Sequence, residues 1–196
     1  MNKSLSATTL LPIAAPPVEA LVQDSASRWL IAVALGSASL AVSAQLSIPM
    51  VPVPMTMQTY VVIMLGALCG WRLAALTVLA YLLEGAAGLP VFSDGHAGFG
   101  WLMGRTGGYL FGYLAAAAFI GFLADSGWNN VWWKLALSLA IGHGIVFAFG
   151  VPWLAVFLGW DKAIVFGLTP FLIGTVLKTA LAFFSVYGVR TFAKAA

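Results

Sequence analysis

Trp29-Leu-Ile-Ala-Val-Ala-Leu-Gly-Ser-Ala-Ser-Leu-Ala-Val-Ser-Ala-Gln-Leu-Ser-Ile48 runs without a charge between Arg28 and Pro49. A helix of this length is about 30 Å long, the thickness of a bilayer's hydrocarbon core. Arg28 and Trp29 stand where interface anchors belong. The rest of the chain agrees: of 196 residues, 62% are hydrophobic and 8% charged, with a mean hydropathy of +1.00, whereas soluble domains carry about a quarter charged residues. A soluble enzyme, a nucleic-acid module and a disulfide scaffold are therefore excluded. The net charge of +3 comes from scattered basic residues that form no patch for nucleic acid. The single cysteine, Cys69, reads as a packing residue in an apolar run.

Five further spans follow, giving an all-α membrane protein of six transmembrane helices. Ile48-Pro-Met-Val-Pro-Val-Pro-Met55 cannot be helical and reads as an ordered apolar loop. Thr56 is an N-cap candidate for a second span to Gly70. The third runs from Trp71 to Gly88, the fourth from Gly108 to Ala124 after a glycine-rich stretch, and the fifth from Val131 to Gly150. Pro152 to Gly167, broken by proline, glycines and Asp161-Lys162, reads as a loop on or slightly into the bilayer. Thr169 as N-cap and Pro170 at the first helical position start the last span, which ends near Val189. Residues 1–27 read as a flexible cytoplasmic tail, and residues 28–196 as the membrane domain.

An even number of spans puts both termini on one side. Lys3, Arg28, Arg72, Lys134, Arg190 and Lys194 fall on that side, against Arg105 and Lys162. The positive-inside rule then gives an N-in, C-in topology in the cytoplasmic membrane, with the three irregular loops facing out over a substrate pocket.

Lys178 is the one basic residue placed inside a span. A charge at that depth costs about 3 kcal/mol and marks a site. It lies about 12 Å from the outer end of its helix, with Gly174 one turn above leaving open space. It either binds an anion entering from outside, or snorkels to lipid or pairs with Glu84. Glu84 itself suits structural pairing with Lys178 or Arg105, or a ligand N–H. Arg105 offers a planar five-donor head for a carboxylate or ureido oxygen, and equally an interfacial anchor. Gln58, Thr59 and Tyr60 can offer neutral hydrogen bonds beneath the proline loop, and Gln58 equally suits satisfying loop backbone. Gly104, Gly108, Gly112 and Ala116 form a small-residue stripe of the kind that brings helices close, and Ala34 and Ala38 repeat that spacing in the first span. His143 reads as a packing histidine and His96 lacks further metal ligands. No phosphate-binding loop, H-E-x-x-H or G-x-S-x-G motif is present.

The segments Ile48-Pro-Met-Val-Pro-Val-Pro-Met-Thr-Met-Gln-Thr59, Gly88-Leu-Pro-Val-Phe92, Gly104-Arg-Thr-Gly-Gly-Tyr-Leu110 and Pro170-Phe-Leu-Ile-Gly-Thr-Val-Leu-Lys178 resemble the BioY family. These are the biotin-specific S components of energy-coupling-factor (ECF) transporters. The resemblance covers about residues 29–190. It implies a six-helix bundle enclosing biotin, no enzymatic activity and no cofactor, since ATP is used only by partner subunits. It also implies assembly with a transmembrane coupling protein and two ATPases through Ala34 and Ala38; self-association stays open. Lys178 matches the family's binding lysine, and Gln58, Arg105 and Tyr109 fall in its signature segments. The family's P-G-D-x-x-K pattern is replaced by Ile173-Gly174-Thr175 ahead of Lys178, so Thr175, Asp94 or Asp161 takes over hydrogen bonding to the ligand. The alternatives are an S component for another vitamin, thiamin- or riboflavin-like, and, remotely, an intramembrane enzyme using His143.

Overall fold

The computed structural model describes residues 25–195; the greater part of the expected tail lies outside the described residues. The elements run α1 (Ala26–Gln45), β1 (Ser47–Ile48), β2 (Met55–Thr56), α2 (Gln58–Ala86), α3 (Phe99–Leu102), α4 (Gly107–Asp125), α5 (Trp132–Leu158), α6 (Trp160–Gly167) and α7 (Phe171–Ala195). Short 3-10 turns occupy Ser93–Gly95 and Trp128–Asn130. α1, α2, α4, α5 and α7 are long and apolar enough to cross a membrane.

One of these is two spans in itself. α2 carries a break at Gly70, with φ 72 and ψ 170, a backbone region that only glycine occupies without strain. A straight helix would hold Gln58 and Tyr81 about 35 Å apart, yet Gln58 Nε2 donates to the Tyr81 hydroxyl at 2.6 Å. Segments 58–69 and 71–86 therefore fold back on each other through a one-residue turn, and the bundle has six spans. A continuous helix would pair the Trp71 N–H with the Ala67 carbonyl. Here Asn129 Nδ2 donates to Ala67 O at 2.7 Å, and Trp71 N–H donates to Asp125 Oδ2 at 3.2 Å. Gly121 of α4 makes room for the turn, since a β-carbon there would run into the Gly70–Trp71 backbone.

Basic residues gather at this end. Arg72 follows the turn, Lys134 lies over the Trp128 ring and Arg190 Nη2 donates to Asn130 Oδ1 at 2.6 Å. Trp29, beside Arg28, lines one groove with Trp71 and Arg72. Arg105 and Lys162 belong to the opposite end, the split that the charge count expects. Lys3 lies outside the described residues.

At that opposite end, β1 and β2 pair antiparallel, Ser47 with Thr56 and Ile48 with Met55. The proline loop is thus the tip of a hairpin, with Val51 exposed and Val53 buried. α1 ends at Gln45 instead of reaching Ile48 because Ser47 and Ile48 form the first strand. It begins at Ala26, slightly before the expected boundary. Gln45 ties the glycine-rich stretch down, donating to Phe92 O at 3.0 Å and accepting from Gly95 N–H at 3.1 Å.

Three expectations are corrected here. Residues 152–167 are helical rather than a loop: α5 continues through Pro152, and α6 follows after a turn at Gly159, φ 81. Proline forfeits one bond, to Ala148, but Leu154 and Ala163 are fully buried and their packing holds the segment helical. The last helix begins at Phe171, because the Thr169 hydroxyl donates backward to Ile164 O at 3.1 Å instead of capping forward. Nor is the space beside Gly174 open: a β-carbon there would come within 2.7 Å of Met55 Sδ, so the hairpin rests on α7 at this glycine.

The small-residue stripe does bring helices together. A β-carbon on Gly112 would meet the Val146 backbone at 3.0 Å, and one on Gly108 would strike Trp153. α4 is the most enclosed helix, with 67% of its apolar window buried, and α7 the least, with 11%.

Candidate ligand-binding site

The hairpin, the glycine-rich stretch and the outer ends of α4, α5 and α7 surround one cleft. Its polar lining includes Thr56, Gln58, Thr59, His143, Thr175 and Lys178; its apolar lining includes Phe92, Trp101, Tyr109, Phe147 and Phe171. The sequence places these residues in five different segments. The doubled-back α2 and the hairpin bring them together.

Lys178 is half-buried. Its Nζ donates to the Thr56 carbonyl at 2.6 Å and to Thr59 Oγ1 at 3.2 Å. An ammonium carries three donors, so one remains for an incoming acceptor, and the Thr59 bond is long enough to exchange. Snorkelling and pairing with Glu84 are both set aside by this geometry, because Glu84 accepts a hydrogen bond from Ser37 on α1.

Gln58, buried at 3% exposure, is engaged within the protein through both ends of its amide. It accepts from Thr56 Oγ1 at 2.9 Å and donates to Tyr81, whose hydroxyl donates onward to Val91 O at 3.0 Å. The Thr56 hydroxyl also accepts from the Gln58 N–H at 3.3 Å. This relay fixes the hairpin to the glycine-rich stretch and sets the position of the Thr56 carbonyl that Lys178 holds. Tyr109 is likewise committed: its hydroxyl donates to Gly167 O at 2.7 Å. Its ring fills space that side chains at Gly150 and Gly167 would occupy, leaving an aromatic wall parallel to Phe171, ring centroids 6.3 Å apart.

The remaining candidates lie elsewhere. Arg105 is exposed and lines a depression that adjoins the cleft at Trp101 and Thr106. Asp94 is exposed and accepts from Ser47 Oγ at 3.0 Å. Asp161 is exposed in the first turn of α6. Among the described residues, no Asp or Glu lines the cleft. Ala34 and Ala38 are exposed on the outer face of α1, away from the cleft.

The structure adds one group that the sequence reading assigned to packing. His143 lines the cleft at 2% exposure, and its Nδ1 lies 3.0 Å from Thr179 Oγ1 on α7. Its position between Gly142 and Gly144, in a span without other polar groups nearby, was the available signal.

The BioY family model matches residues 14–195. The chain is 39% identical over 156 residues to the biotin transporter BioY of Thermotoga maritima, covering 79% of this chain and 91% of that protein. It is 36% identical over 150 residues to the probable biotin transporter BioY of Pyrococcus horikoshii, with 76% and 88% covered. Among solved structures, the S-component for biotin from an ECF-type ABC transporter matches with a TM-score of 0.73 at 25% identity, covering 87% of this chain and 94% of that one. A family match that spans the described residues, relatives matched over most of their own length and a shared fold together establish that this multi-pass membrane protein belongs to the BioY family, whose members are transporter subunits and not enzymes.

Proposed function

We propose that this chain is the biotin-binding S component of an ECF-type transporter. It takes biotin from outside into the cleft around Lys178 and releases it to the cytoplasm, with energy from partner ATPases. The observation that carries this reading is the spare ammonium donor of Lys178 in a cleft walled by aromatic rings. Biotin has a carboxylate that needs a cation, a ureido group that needs donors and acceptors, and an apolar ring and tail. The relatives' names support the same ligand. Thr175 lines the cleft beside Lys178 and serves as a neutral hydrogen-bonding neighbour. Arg105, exposed near the mouth, attracts the carboxylate on approach. Asp94 ties down the glycine-rich stretch through Ser47, and Asp161 lies on α6; both are outside the cleft.

The exposed Ala34–Ala38 face of α1 is the surface on which a transmembrane coupling protein packs, because small residues let helix backbones approach closely. That protein links the chain to two ATPase subunits. The chain does not need self-association to complete its cleft, which is built within one copy.

Titration of the purified protein in detergent with biotin, thiamin and riboflavin tests the assignment. Saturable biotin binding at micromolar ligand or below is expected. Binding of thiamin or riboflavin with no response to biotin would replace the substrate.

A further inference from the structure

His143 has a feature that packing does not explain. Its Nε2 is buried and has no hydrogen-bond partner among the described residues. The other nitrogen, Nδ1, is held by the Thr179 hydroxyl of α7 at 3.0 Å, so the ring cannot turn to satisfy Nε2 without breaking that contact. An unpaired polar atom shut away from water is costly, and cores remove such groups unless something uses them. Here the residue forms part of the cleft wall, facing the same space as Lys178, Thr175 and Tyr113.

The donor and acceptor inventory of the cleft gives this atom a task. Lys178 supplies only donors. Gln58 and Tyr109 are committed within the protein, and the Thr59 hydroxyl already accepts from Lys178. No carboxylate lines the cleft among the described residues. A ligand bearing two ring N–H groups therefore meets few uncommitted acceptors. The ring also bonds the backbone carbonyl of Leu139, one turn back in α5, and with Nε2 unpartnered that bond belongs to Nδ1. Nδ1 therefore carries the proton, which the Thr179 hydroxyl also accepts, and Nε2 is left as a bare lone pair.

We infer that His143 is a ligand-binding residue whose Nε2 accepts a hydrogen bond from an N–H of a cyclic urea. Thr179 is the positioning residue that sets the tautomer and orients the ring. The inference rests on the biotin reading and deepens it, by naming the group that reads the ureido ring.

The test is a binding cycle on the purified full chain in detergent. Biotin and a biotin methylated at a ureido nitrogen are titrated against the wild type, His143→Leu and His143→Gln. The inference expects biotin to bind His143→Leu about tenfold more weakly than the wild type, and His143→Gln, which retains an acceptor, to recover most of the loss. It further expects methylation at one of the two nitrogens to weaken binding to the wild type while making little difference to His143→Leu, since the same contact cannot be lost twice. Thermal unfolding of each unliganded variant accompanies the titrations; if His143→Leu does not fold, the comparison is made on His143→Phe, which keeps a ring but no acceptor, with the same ligands. Wild-type affinity in His143→Leu would overturn the inference. So would equal losses for biotin and for both methylated forms, which mark a structural histidine. Failure of the biotin assignment looks different: the wild type itself then shows no biotin binding.

Discussion

At the Gly70 end of the bundle the carbonyl of Ala67 loses its helical partner and takes Asn129 Nδ2; at the opposite end the carbonyl of Thr56 lies in a strand and takes Lys178 Nζ. Both carbonyls are held by a single side chain from a distant element. The Asn129 amide is neutral, buried and short, on a turn fixed between α4 and α5. Lys178 is charged, half-buried and on a long stem, with a donor to spare and a long second bond to exchange. The first arrangement is a staple and the second a latch. Under the proposed function, polar groups inside the apolar bundle divide between holding the fold and meeting a ligand, and their geometry distinguishes the two.

Lys178→Ala breaks the latch. Removing one partner of a desolvated charge pair costs about 2–5 kcal/mol, so biotin affinity falls between about thirtyfold and several thousandfold. Unfolding of the unliganded protein stays near the wild type, because the Thr56 carbonyl can be hydrated from the cleft. Titration and thermal unfolding in detergent check both halves, and unchanged affinity would demote Lys178 to a structural group.

Gly70→Ala and Asn129→Ala act on the staple and should show the reverse pattern. The first forces a β-carbon into glycine-only backbone space, at a cost of about 1–3 kcal/mol. The second leaves the Ala67 carbonyl buried and unpaired, a loss of similar size. Both lower the unfolding temperature, and the fraction that remains folded binds biotin with unaltered affinity. A change in affinity larger than the change in stability would show that the two ends are coupled.

Arg105→Gln gives the smallest effect. An exposed cation is worth less than about 1 kcal/mol, so equilibrium affinity barely moves. The association rate falls instead, most clearly at low salt where screening is weak. Stopped-flow binding at two ionic strengths measures it; a tenfold affinity loss would place Arg105 inside the closed site.

The pattern of what could be read beforehand follows from the same physics. Six spans were legible because each needs a long, mostly apolar run, and Gly70 was legible as a boundary because two runs meet there without a loop. That the turn takes a single residue was not, since it depends on Asn129 and Asp125 arriving from elsewhere. Residues 152–167 were misread because proline and glycine interrupt the local pattern while tertiary burial keeps the backbone helical. Lys178 stood out because a charge at membrane depth needs a reason, and Gln58 because polar groups are scarce there. Arg105, Asp94 and Asp161 came from loops, where proximity in three dimensions leaves no mark on spacing. Glu84 was expected to seek a cation and is held by Ser37, a hydroxyl that looks ordinary in its own span. His143 was passed over because a histidine between glycines reads as packing until its unpaired nitrogen is seen.

The uneven enclosure of the helices bears on how the cleft grips. Tyr109 and Tyr113 belong to α4, pressed on several sides by neighbouring spans, whereas Lys178 and Thr175 belong to α7, most of whose surface turns away from the protein. The cleft therefore has one wall set among neighbouring helices and one on the helix least covered by protein. In the proposed function, any displacement of α7 would exchange contacts with acyl chains more than contacts with protein, which ties the grip on the ligand to the surrounding bilayer.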